Sequence, residues 1–462
     1  MHFWDKFLGS KTDPLRFPQA GIHHYLVENG SERSRLHLRL DEDGHGILIV
    51  NASRILHLNP TAAWMAYLFL EKTRTDETIK QIQKLFRVSS RQALQDYQSL
   101  QMQLDELVRP DGACPIHEMD LDTIAPFSAR PSAPYRMDLA LTYRCNNDCS
   151  HCYNLEHPGT SISSNGKSEL DTHEWKKILS RLWILGIPHI IFTGGEPTLR
   201  DDLPELIAHA ESIGQITGLN TNARRLADPK FVDSLVQAGL DHVQITLESS
   251  DPTVHDQMVR SKGSFQQTVK GIQNVLATHL YVMTNTTMLQ DNFHTIPSTL
   301  DFLASLGVRT VGLNALIHSG RGASISSGLP EKELHPLLEI ATQKTDKHGQ
   351  RLIWYTPTQY CSFDPTQMGL GVKGCTAALY NMCIEPDGAV LPCQSYYHPL
   401  GNILNDSWDS IWNHELAVHL RERQGLPEKC SDCDLISECG GGCPLQFEKA
   451  DIPSKLNVPI VQ

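Results

Sequence analysis

The middle of the chain alternates between two hydrophobic periods. Short apolar runs typical of strands lie at 137–142, 189–193, 216–221, 242–246, 281–287 and 310–315. Between them apolar residues recur at a spacing near 3.6, which predicts helices, most of them ending at or near a glycine. Six strand–helix repeats predict a parallel α/β layout, either an open sheet or a partial barrel.

The N-terminal region has a different pattern. Segments 35–40 and 47–51 flank a turn at 41–46 and predict a hairpin, and helical patterns follow at 59–72, 75–87 and 89–108. A small sheet with three helices is the winged-helix pattern. Residues 1–112 contain 14 Lys+Arg and 14 Asp+Glu, so a basic DNA-binding face is absent. Binding of a peptide at the sheet edge is the better physical alternative.

Composition narrows the class of protein. A chain of 462 residues is expected to form about three domains, and the proline-rich stretch 109–136 is interpreted as a linker. The net charge of −13 argues against nucleic acid as a partner. The N-terminus lacks a signal-peptide pattern, and no apolar run is long enough to span a bilayer. We therefore expect a cytoplasmic protein that does not bind membranes.

Polar residues gather where the predicted strands end. A cysteine loop follows 142, and polar segments lie at 193–198, 220–224, 246–249, 284–287 and 313–322. Parallel sheets and barrels build their sites at the carboxyl ends of the strands, so one shared pocket is predicted. Placement at strand ends makes Asn220, Asn222, Glu248 and Asn314 candidate pocket residues, with capping of the next helix as the alternative.

The twelve cysteines are unevenly placed. Clustered thiols in a reducing compartment are more often metal ligands than disulfides, whereas the isolated Cys114 and Cys361 are interpreted as ordinary buried cysteines. Cys145, Cys149 and Cys152 form a Cys-x3-Cys-x2-Cys loop. Three thiolates can hold three irons of a [4Fe–4S] cubane and leave the fourth iron open. A zinc site with three thiolates is the alternative.

This loop, together with the "GGEP" segment one repeat later, resembles the radical S-adenosylmethionine (SAM) superfamily. The resemblance implies a partial (β/α)6 TIM-like barrel in which SAM chelates the open iron held by Cys145, Cys149 and Cys152. It also implies SAM contacts for His151, at the adenine, and for Thr246, with Arg260 pairing with the SAM carboxylate. The matched "GGEP" residues, expected at the methionyl ammonium, are Gly194, Gly195, Glu196 and Pro197; Asn220 and Glu248 complete the expected cofactor-binding set.

The chemistry implied by the resemblance is reductive cleavage of SAM to a 5′-deoxyadenosyl radical, which abstracts a hydrogen atom from the substrate. The cofactor carries that chemistry, and the protein supplies binding and orientation. The electron would come from a low-potential donor such as ferredoxin or flavodoxin.

The C-terminal cysteines resemble the SPASM domain, which carries auxiliary iron–sulfur clusters and accompanies peptide-modifying radical SAM enzymes. By that pattern Cys375, Cys383, Cys393 and Cys443 would ligate a first auxiliary cluster, and Cys430, Cys433 and Cys439 a second. No cysteine follows Cys443, so the second cluster has a non-cysteine ligand such as Asp432, Asp434 or Glu438, has an open iron, or is absent. One or two auxiliary clusters are therefore expected. A zinc ribbon formed by Cys430, Cys433, Cys439 and Cys443 is the alternative.

The N-terminal unit resembles the PqqD-like fold, which binds the leader of a ribosomally made precursor as an added strand. The expected organisation is a PqqD-like winged-helix domain (1–112), a linker (113–135), a radical SAM core (136–325), a connector (326–374) and a SPASM domain (375–450). Together these predict an enzyme that modifies a peptide, with oxidative cross-linking as one outcome. The alternatives are the same chemistry on a tetrapyrrole or cofactor precursor, and a non-catalytic electron-transfer protein.

Overall fold

The computed structural model describes residues 20–29, 32–51, 54–108, 131–154 and 169–446. The predicted linker and Cys114 lie largely or wholly outside these residues. Backbone contacts divide the chain into two compact units. The first comprises Met1–Tyr135 and Ser180–Pro188, and the second comprises Arg136–Leu179 and His189–Gln462.

The first unit contains a four-stranded antiparallel sheet followed by three helices. The strands lie in chain order: β1 (Gly21–Asn29), β2 (Glu32–Leu40), β3 (Gly46–Val50) and β4 (Arg54–Leu58). The hairpin predicted from the sequence is β2–β3, and the prediction missed β1 and β4. The helices α1 (Pro60–Leu70), α2 (Thr75–Leu85) and α3 (Ser90–Val108) confirm the three helical patterns. Leu36, Leu38, Trp64, Ile82 and Tyr97 belong to the core between sheet and helices.

Helix α1 shows how local sequence sets an element of this unit. Asn59 is its N-cap and accepts a hydrogen bond from Ala62 N at 2.9 Å, and Pro60 occupies the first helical position. A proline there costs nothing because its missing N–H would have no partner inside the helix. Residues Ala63, Trp64 and Leu68 are then buried on the side of the helix that packs into the core.

The second unit is built on a ten-stranded sheet whose centre is parallel. The strands β5 (Arg136–Ala140), β6 (His189–Thr193), β7 (Ile216–Thr221), β8 (His242–Thr246), β9 (Tyr281–Thr287) and β10 (Thr310–Asn314) pair in this order, which confirms the six predicted strands. The sheet continues on one side into β11 (Arg351–Trp354), which is parallel to β10. On the other side it continues through β12 (Asn381–Ile384), parallel to β5, into the antiparallel β13 (Ala389–Leu391) and β14 (Gly401–Asn402).

Helices connect the parallel strands of this unit. They are α4 (Thr172–Ile184), α5 (Leu203–Ser212), α6 (Pro229–Ala238), α7 (Pro252–Met258), α8 (Ser264–Leu276), α9 (Ile296–Leu306) and α10 (Glu331–His348). Short helices α11 (Trp408–Trp412), α12 (Glu415–Arg421) and α13 (Ile436–Cys439) lie in the C-terminal part. The segment expected as a plain connector therefore contributes α10 and β11 to the α/β layout. Among the described residues, no helix is both long and apolar enough to cross a membrane.

A close approach inside the sheet shows why one strand needs a glycine. Gly218 on β7 pairs with His242 on β8, and a Cβ at Gly218 would lie 1.9 Å from the His242 ring. The His242 ring occupies the space next to Gly218, and His242 Nε2 lies 2.9 Å from His189 Nε2 on β6. Burial, and then the charge of Arg136, lower the pKa of His242 to about 3, so its ring is neutral.

Candidate functional site

The loop after β5 brings together the three thiols of Cys145, Cys149 and Cys152. All three side chains are half-buried. The loop backbone is fixed from the end of α7, since Asp148 N donates to Val259 O at 2.9 Å and Ser150 N donates to Met258 O at 3.0 Å. The cysteine loop is therefore held by main-chain contacts on an element distant in sequence.

Burial sets the charge state of these thiols. It raises the pKa of Cys145 to about 12, with Glu196 adding to the effect, and it raises the pKa of Cys149 well above its usual value, with Cys152 adding to that shift. Each thiol thus influences another across the loop. Without a bound cation the thiols of Cys145 and Cys149 are neutral, and metal binding releases their protons.

The loop arrangement bears on which metal it suits. Soft thiolates are the ordinary ligands of iron–sulfur clusters, and in a [4Fe–4S] cubane each thiolate binds a different iron. Three thiols on one loop are therefore a donor set that fits a cubane with one open iron.

The two glycines of "GGEP" follow β6 and lie directly against the strand end that leads into the cysteine loop. Gly195 N donates to Thr142 O at 2.7 Å, and Glu196 N donates to Arg144 O at 2.9 Å. A Cβ would lie 2.3 Å from Thr142 O at Gly194 and 2.6 Å from Arg144 O at Gly195. Only glycine allows this approach, which fixes the "GGEP" backbone next to the loop.

The carboxylate of Glu196 is fully buried and engaged by the protein. Its Oε1 accepts from Thr198 N, Thr198 Oγ1 and Thr221 Oγ1 at 2.6–3.1 Å. Its Oε2 accepts from Asn222 N at 2.8 Å. Burial raises the pKa of Glu196, and these hydrogen bonds oppose that shift. Glu196 therefore ties the end of β7 to "GGEP", with Pro197 beginning the turn that Glu196 caps.

His151 and Glu248 form a buried pair on the other side of the loop. His151 Nε2 lies 2.9 Å from Glu248 Oε1, and the side chains are 9% and 1% exposed. Glu248 Oε2 accepts from Thr287 N at 2.9 Å. Glu248 thus orients the His151 ring and links it to the end of β9.

The other expected cofactor contacts have different surroundings. Asn220 and Thr246 are half-buried at the ends of β7 and β8, and neither side chain is hydrogen-bonded to another described residue. Both are therefore available to a ligand. Arg260 has a left-handed backbone (φ 49°) and an exposed side chain, with no described hydrogen-bond partner for its guanidinium.

Two other arginines contact the cysteine loop, and sequence reasoning did not single them out. Arg224 Nη1 donates to Asn147 Oδ1 at 2.9 Å and also to Asn146 O. Arg321 Nη1 lies 2.5 Å from Asp148 Oδ1, and its guanidinium also interacts with Cys152. Both arginines lie in polar segments that follow predicted strands, "NTNAR" and "SGRG". This placement at strand ends was the sequence signal that could have identified them.

The loop is also joined to the start of the C-terminal cysteine region. Tyr143 Oη donates to both carboxylate oxygens of Glu385 at 2.5 Å. Cys383, on β12, is fully buried with Ala140, Tyr143 and Leu391. Burial, and then the neighbouring Cys375, raise the pKa of Cys393 to about 12. Cys383 therefore lies within an apolar cluster, and Cys375 and Cys393 are close to each other.

The last four cysteines lie on short turns. Cys430 and Cys433 are half-buried, Cys439 is buried at the end of α13, and Cys443 is half-buried beyond it. The expectation that Cys361 is an ordinary buried cysteine is wrong, because its side chain is exposed. It follows β11 in an irregular segment that offers no apolar pocket to cover it.

Family comparisons match two segments of the chain. Residues 139–303 match the model of the radical SAM superfamily, and residues 375–434 match SPASM, described as an iron–sulfur cluster-binding domain.

Two curated proteins are similar over about two thirds of this chain. Fe-coproporphyrin III synthase of Methanosarcina barkeri is 27% identical over 336 residues, which is 67% of this chain and 82% of that protein. PqqA peptide cyclase of Ruegeria pomeroyi is 28% identical over 329 residues, which is 68% of this chain and 83% of that protein.

Solved structures extend the likeness of fold to most of the chain. Streptococcus suis SuiB bound to precursor peptide SuiA has a TM-score of 0.64 at 17% identity, covering 92% of this chain and 97% of that one. SuiB bound to S-adenosylmethionine has a TM-score of 0.64 at 18% identity, covering 90% and 95%. At this identity the likeness concerns the fold.

Proposed function

We propose that this chain, which is a radical SAM enzyme with a SPASM domain, modifies a ribosomally made peptide by abstracting a hydrogen atom from it. Its cofactors are a [4Fe–4S] cluster, SAM and auxiliary iron–sulfur clusters. The observation that carries the proposal is the shared fold over 92% of the chain with a protein solved in complex with a precursor peptide.

The proposed ligands of the SAM-binding cluster are Cys145, Cys149 and Cys152. When bound, the reduced cluster and SAM supply a 5′-deoxyadenosyl radical that removes the hydrogen atom. The chain contributes a thiol loop fixed from several strand ends. Fixed placement matters because hydrogen transfer is sensitive to the position of the reacting atoms.

The residues proposed to contact SAM differ in whether other protein groups already hold them in place. Asn220 and Thr246 have free polar groups at the strand ends, and His151 is held in one orientation by Glu248. The "GGEP" backbone, fixed against the loop, would receive the methionyl ammonium, with Gly194 O already accepting from Asn154 Nδ2 at 3.0 Å. Glu196 would act through the backbone it fixes, since its oxygens accept hydrogen bonds from the protein.

The first unit provides a physical means of binding a peptide. Among the described residues, β1 pairs only with β2 and is an edge strand of this sheet. An extended peptide can add to such an edge as a further strand. Leu26 on β1 is 42% exposed and offers an apolar contact near that edge. We propose that this unit is a PqqD-like leader-binding domain and that the leader adds at β1.

The test uses the full chain, reconstituted anaerobically with iron and sulfide. Each short peptide encoded beside the gene would be incubated with protein, SAM and dithionite, and followed by mass spectrometry together with 5′-deoxyadenosine. We expect one peptide to change mass as deoxyadenosine forms. Failure of all these peptides to bind or change would contradict the proposal.

A matched pair of variants tests the binding edge. Leu26→Arg is expected to weaken binding of the labelled peptide about tenfold or more, because a charge would replace an apolar contact. Met102→Arg on α3, where Met102 is 67% exposed, serves as the control. Equal binding by both variants would exclude β1.

A tetrapyrrole substrate is the second candidate, favoured by the 27% identity to Fe-coproporphyrin III synthase. The same assay with Fe-coproporphyrin III in place of peptide distinguishes the two. Conversion of the tetrapyrrole without conversion of any peptide would replace the proposed substrate while leaving the radical chemistry intact.

A further inference from the structure

The family pattern assigns three cysteines to the second auxiliary cluster. They are Cys430, Cys433 and Cys439, and residues 444–462 contain no cysteine. We propose that Cys361, which lies about 70 residues upstream, is the fourth ligand of this cluster. The inference rests on the three-cysteine ligand set proposed above and is independent of the peptide substrate.

Lys429 brings the Cys361 segment next to Cys430. Its Nζ lies 3.5 Å from Cys361 Sγ and donates to Gln359 Oε1 at 2.9 Å. Lys429 immediately precedes Cys430. Its two partners, Gln359 and Cys361, are therefore near the first of the three proposed ligands.

A second contact joins the same segment to Cys439. Tyr360 N donates to Cys439 Sγ at 3.3 Å, and that sulfur lies 3.5 Å from Thr358 O. Tyr360 therefore contacts one proposed ligand, Cys439. Cys361 contacts Lys429, which is the residue before another proposed ligand. Two independent contacts place the segment 358–361 against the C-terminal turns.

Four-thiolate ligation of a cubane requires its thiols to lie near one another. The contacts made by Lys429 and Tyr360 bring the Cys361 segment to Cys430 and Cys439.

The competing ligands are carboxylates. Asp432 and Asp434 are exposed and Glu438 is half-buried. Iron–sulfur clusters are normally held by soft thiolates, whereas carboxylates suit harder ions. Cys361 therefore supplies the chemically preferred donor. Its side chain is exposed, so that a cluster can reach its sulfur.

Iron counting in the full chain tests the assignment without depending on enzyme activity. The background variant carries Cys145→Ala, Cys149→Ala and Cys152→Ala, so that only auxiliary iron remains. It is expected to hold about eight irons after anaerobic reconstitution, from two four-iron clusters. Adding Cys361→Ala leaves three thiolates and opens the fourth iron of the second cluster, so a chelator is expected to lower the count faster towards about four, and one of the two electron paramagnetic resonance signals of the reduced protein is expected to shift.

Two controls keep the result interpretable. Cys114→Ala removes a cysteine outside every proposed ligand set and is expected to leave the iron count unchanged. Cys361→Ser, which offers an oxygen donor, is expected to retain more iron than Cys361→Ala, with a shifted resonance signal. The iron that remains in Cys361→Ala, together with an unchanged circular dichroism spectrum, shows that the domain is folded.

The opposite results are equally definite. Two unshifted signals and an unchanged rate of iron loss to the chelator in Cys361→Ala overturn the assignment, and the same changes seen only in Glu438→Ala, Asp432→Ala or Asp434→Ala transfer the role to that carboxylate. A background protein with no auxiliary iron would instead contradict the ligand sets themselves.

Discussion

The two cysteine regions of the second unit are built in contrasting ways. The loop of Cys145, Cys149 and Cys152 lies at the carboxyl edge of a parallel sheet and is held by side chains from three later strand ends, including Arg224, Glu248 and Arg321. The turns carrying Cys430, Cys433 and Cys439 follow no strand of that sheet, and Lys429 beside them is exposed. The first region is contacted from the ends of several strands, whereas the second is contacted by segment 358–361 and by Arg423, whose Nη1 donates to Ile436 O at 2.7 Å.

This difference matches different chemical demands. A site that generates a radical has to orient its cofactor and exclude competing reactions, so a loop fixed on several sides is useful. An electron-transfer cluster requires ligation and a suitable environment, which short turns can supply. We therefore expect substitutions at the first region to have larger functional effects than similar ones at the second.

Removal of one ligand from each region gives the largest expected contrast. Cys145→Ala is expected to abolish 5′-deoxyadenosine formation, because it removes a proposed ligand of the SAM-binding cluster. Cys439→Ala is expected to retain measurable deoxyadenosine while losing one auxiliary cluster. The measurement is anaerobic quantification of deoxyadenosine by mass spectrometry. Equal loss in both variants would mean that the regions are not functionally separate.

The arginine beside the first loop provides the next test. Arg321→Gln removes the cation that pairs with Asp148 and interacts with Cys152. Loss of such support around metal ligands typically costs about 10- to 100-fold in metal affinity or activity, and we expect faster loss of the SAM-binding cluster to a chelator on that scale. Arg74→Gln, at an exposed arginine that pairs with Asp76 in the first unit, is the matched control. A similar rate in both variants would show that Arg321 does not support the loop.

A smaller effect is expected where the first loop meets the C-terminal region. Tyr143→Phe removes the hydroxyl that donates to Glu385 and leaves a buried carboxylate without that donor. Such a loss costs about 1–3 kcal/mol, seen as a lower melting temperature.

A double-mutant cycle with Glu385→Gln isolates this contact, because it measures the interaction of the two side chains separately from each single effect. Additive effects in the double variant would show that the Tyr143–Glu385 hydrogen bond does not contribute to stability.

The smallest effect is predicted at Lys429. The exposed Lys429 ammonium contacts Gln359 and Cys361, and exposed contacts of a charged side chain contribute little free energy. Lys429→Gln is therefore expected to change the rate of auxiliary iron loss by less than about fivefold, with the difference shrinking at high salt. Chelator kinetics at two salt concentrations provide the measurement. An effect as large as that of Arg321→Gln would remove the distinction between the two regions.

Sequence patterns were reliable where the information is local. The six central strands and the three N-terminal helices follow from hydrophobic period and turn residues, which depend on neighbouring positions. Strands β1 and β4 were missed because β1 carries adjacent histidines and β4 is short, so neither gives a clear alternation. Strand β11 was missed because its four residues fall in a segment interpreted as a connector.

Side-chain partners were less predictable than strand positions. The family pattern suggested Arg260 as a cofactor contact, yet the arginines at the cysteine loop are Arg224 and Arg321. Arg224 and Arg321 contact the cysteine loop because of where two other loops lie in the folded chain, and both loops are distant from the cysteines in sequence. Likewise Glu196 was expected to face the ligand, and its hydrogen bonds to Thr221 and Asn222 appear only once β7 stands beside β6.

The sequence alone determined the α/β class, the thiol loop and the glycines that lie against it, because a short spacing within one loop restricts geometry whatever the rest of the chain does. Tertiary structure alone decided that Cys361 lies beside Lys429 and that Tyr360 contacts Cys439, across separations of 68 and 79 residues. Contacts at that separation depend on how irregular segments pack after the sheet has formed, and no periodicity in the sequence encodes them.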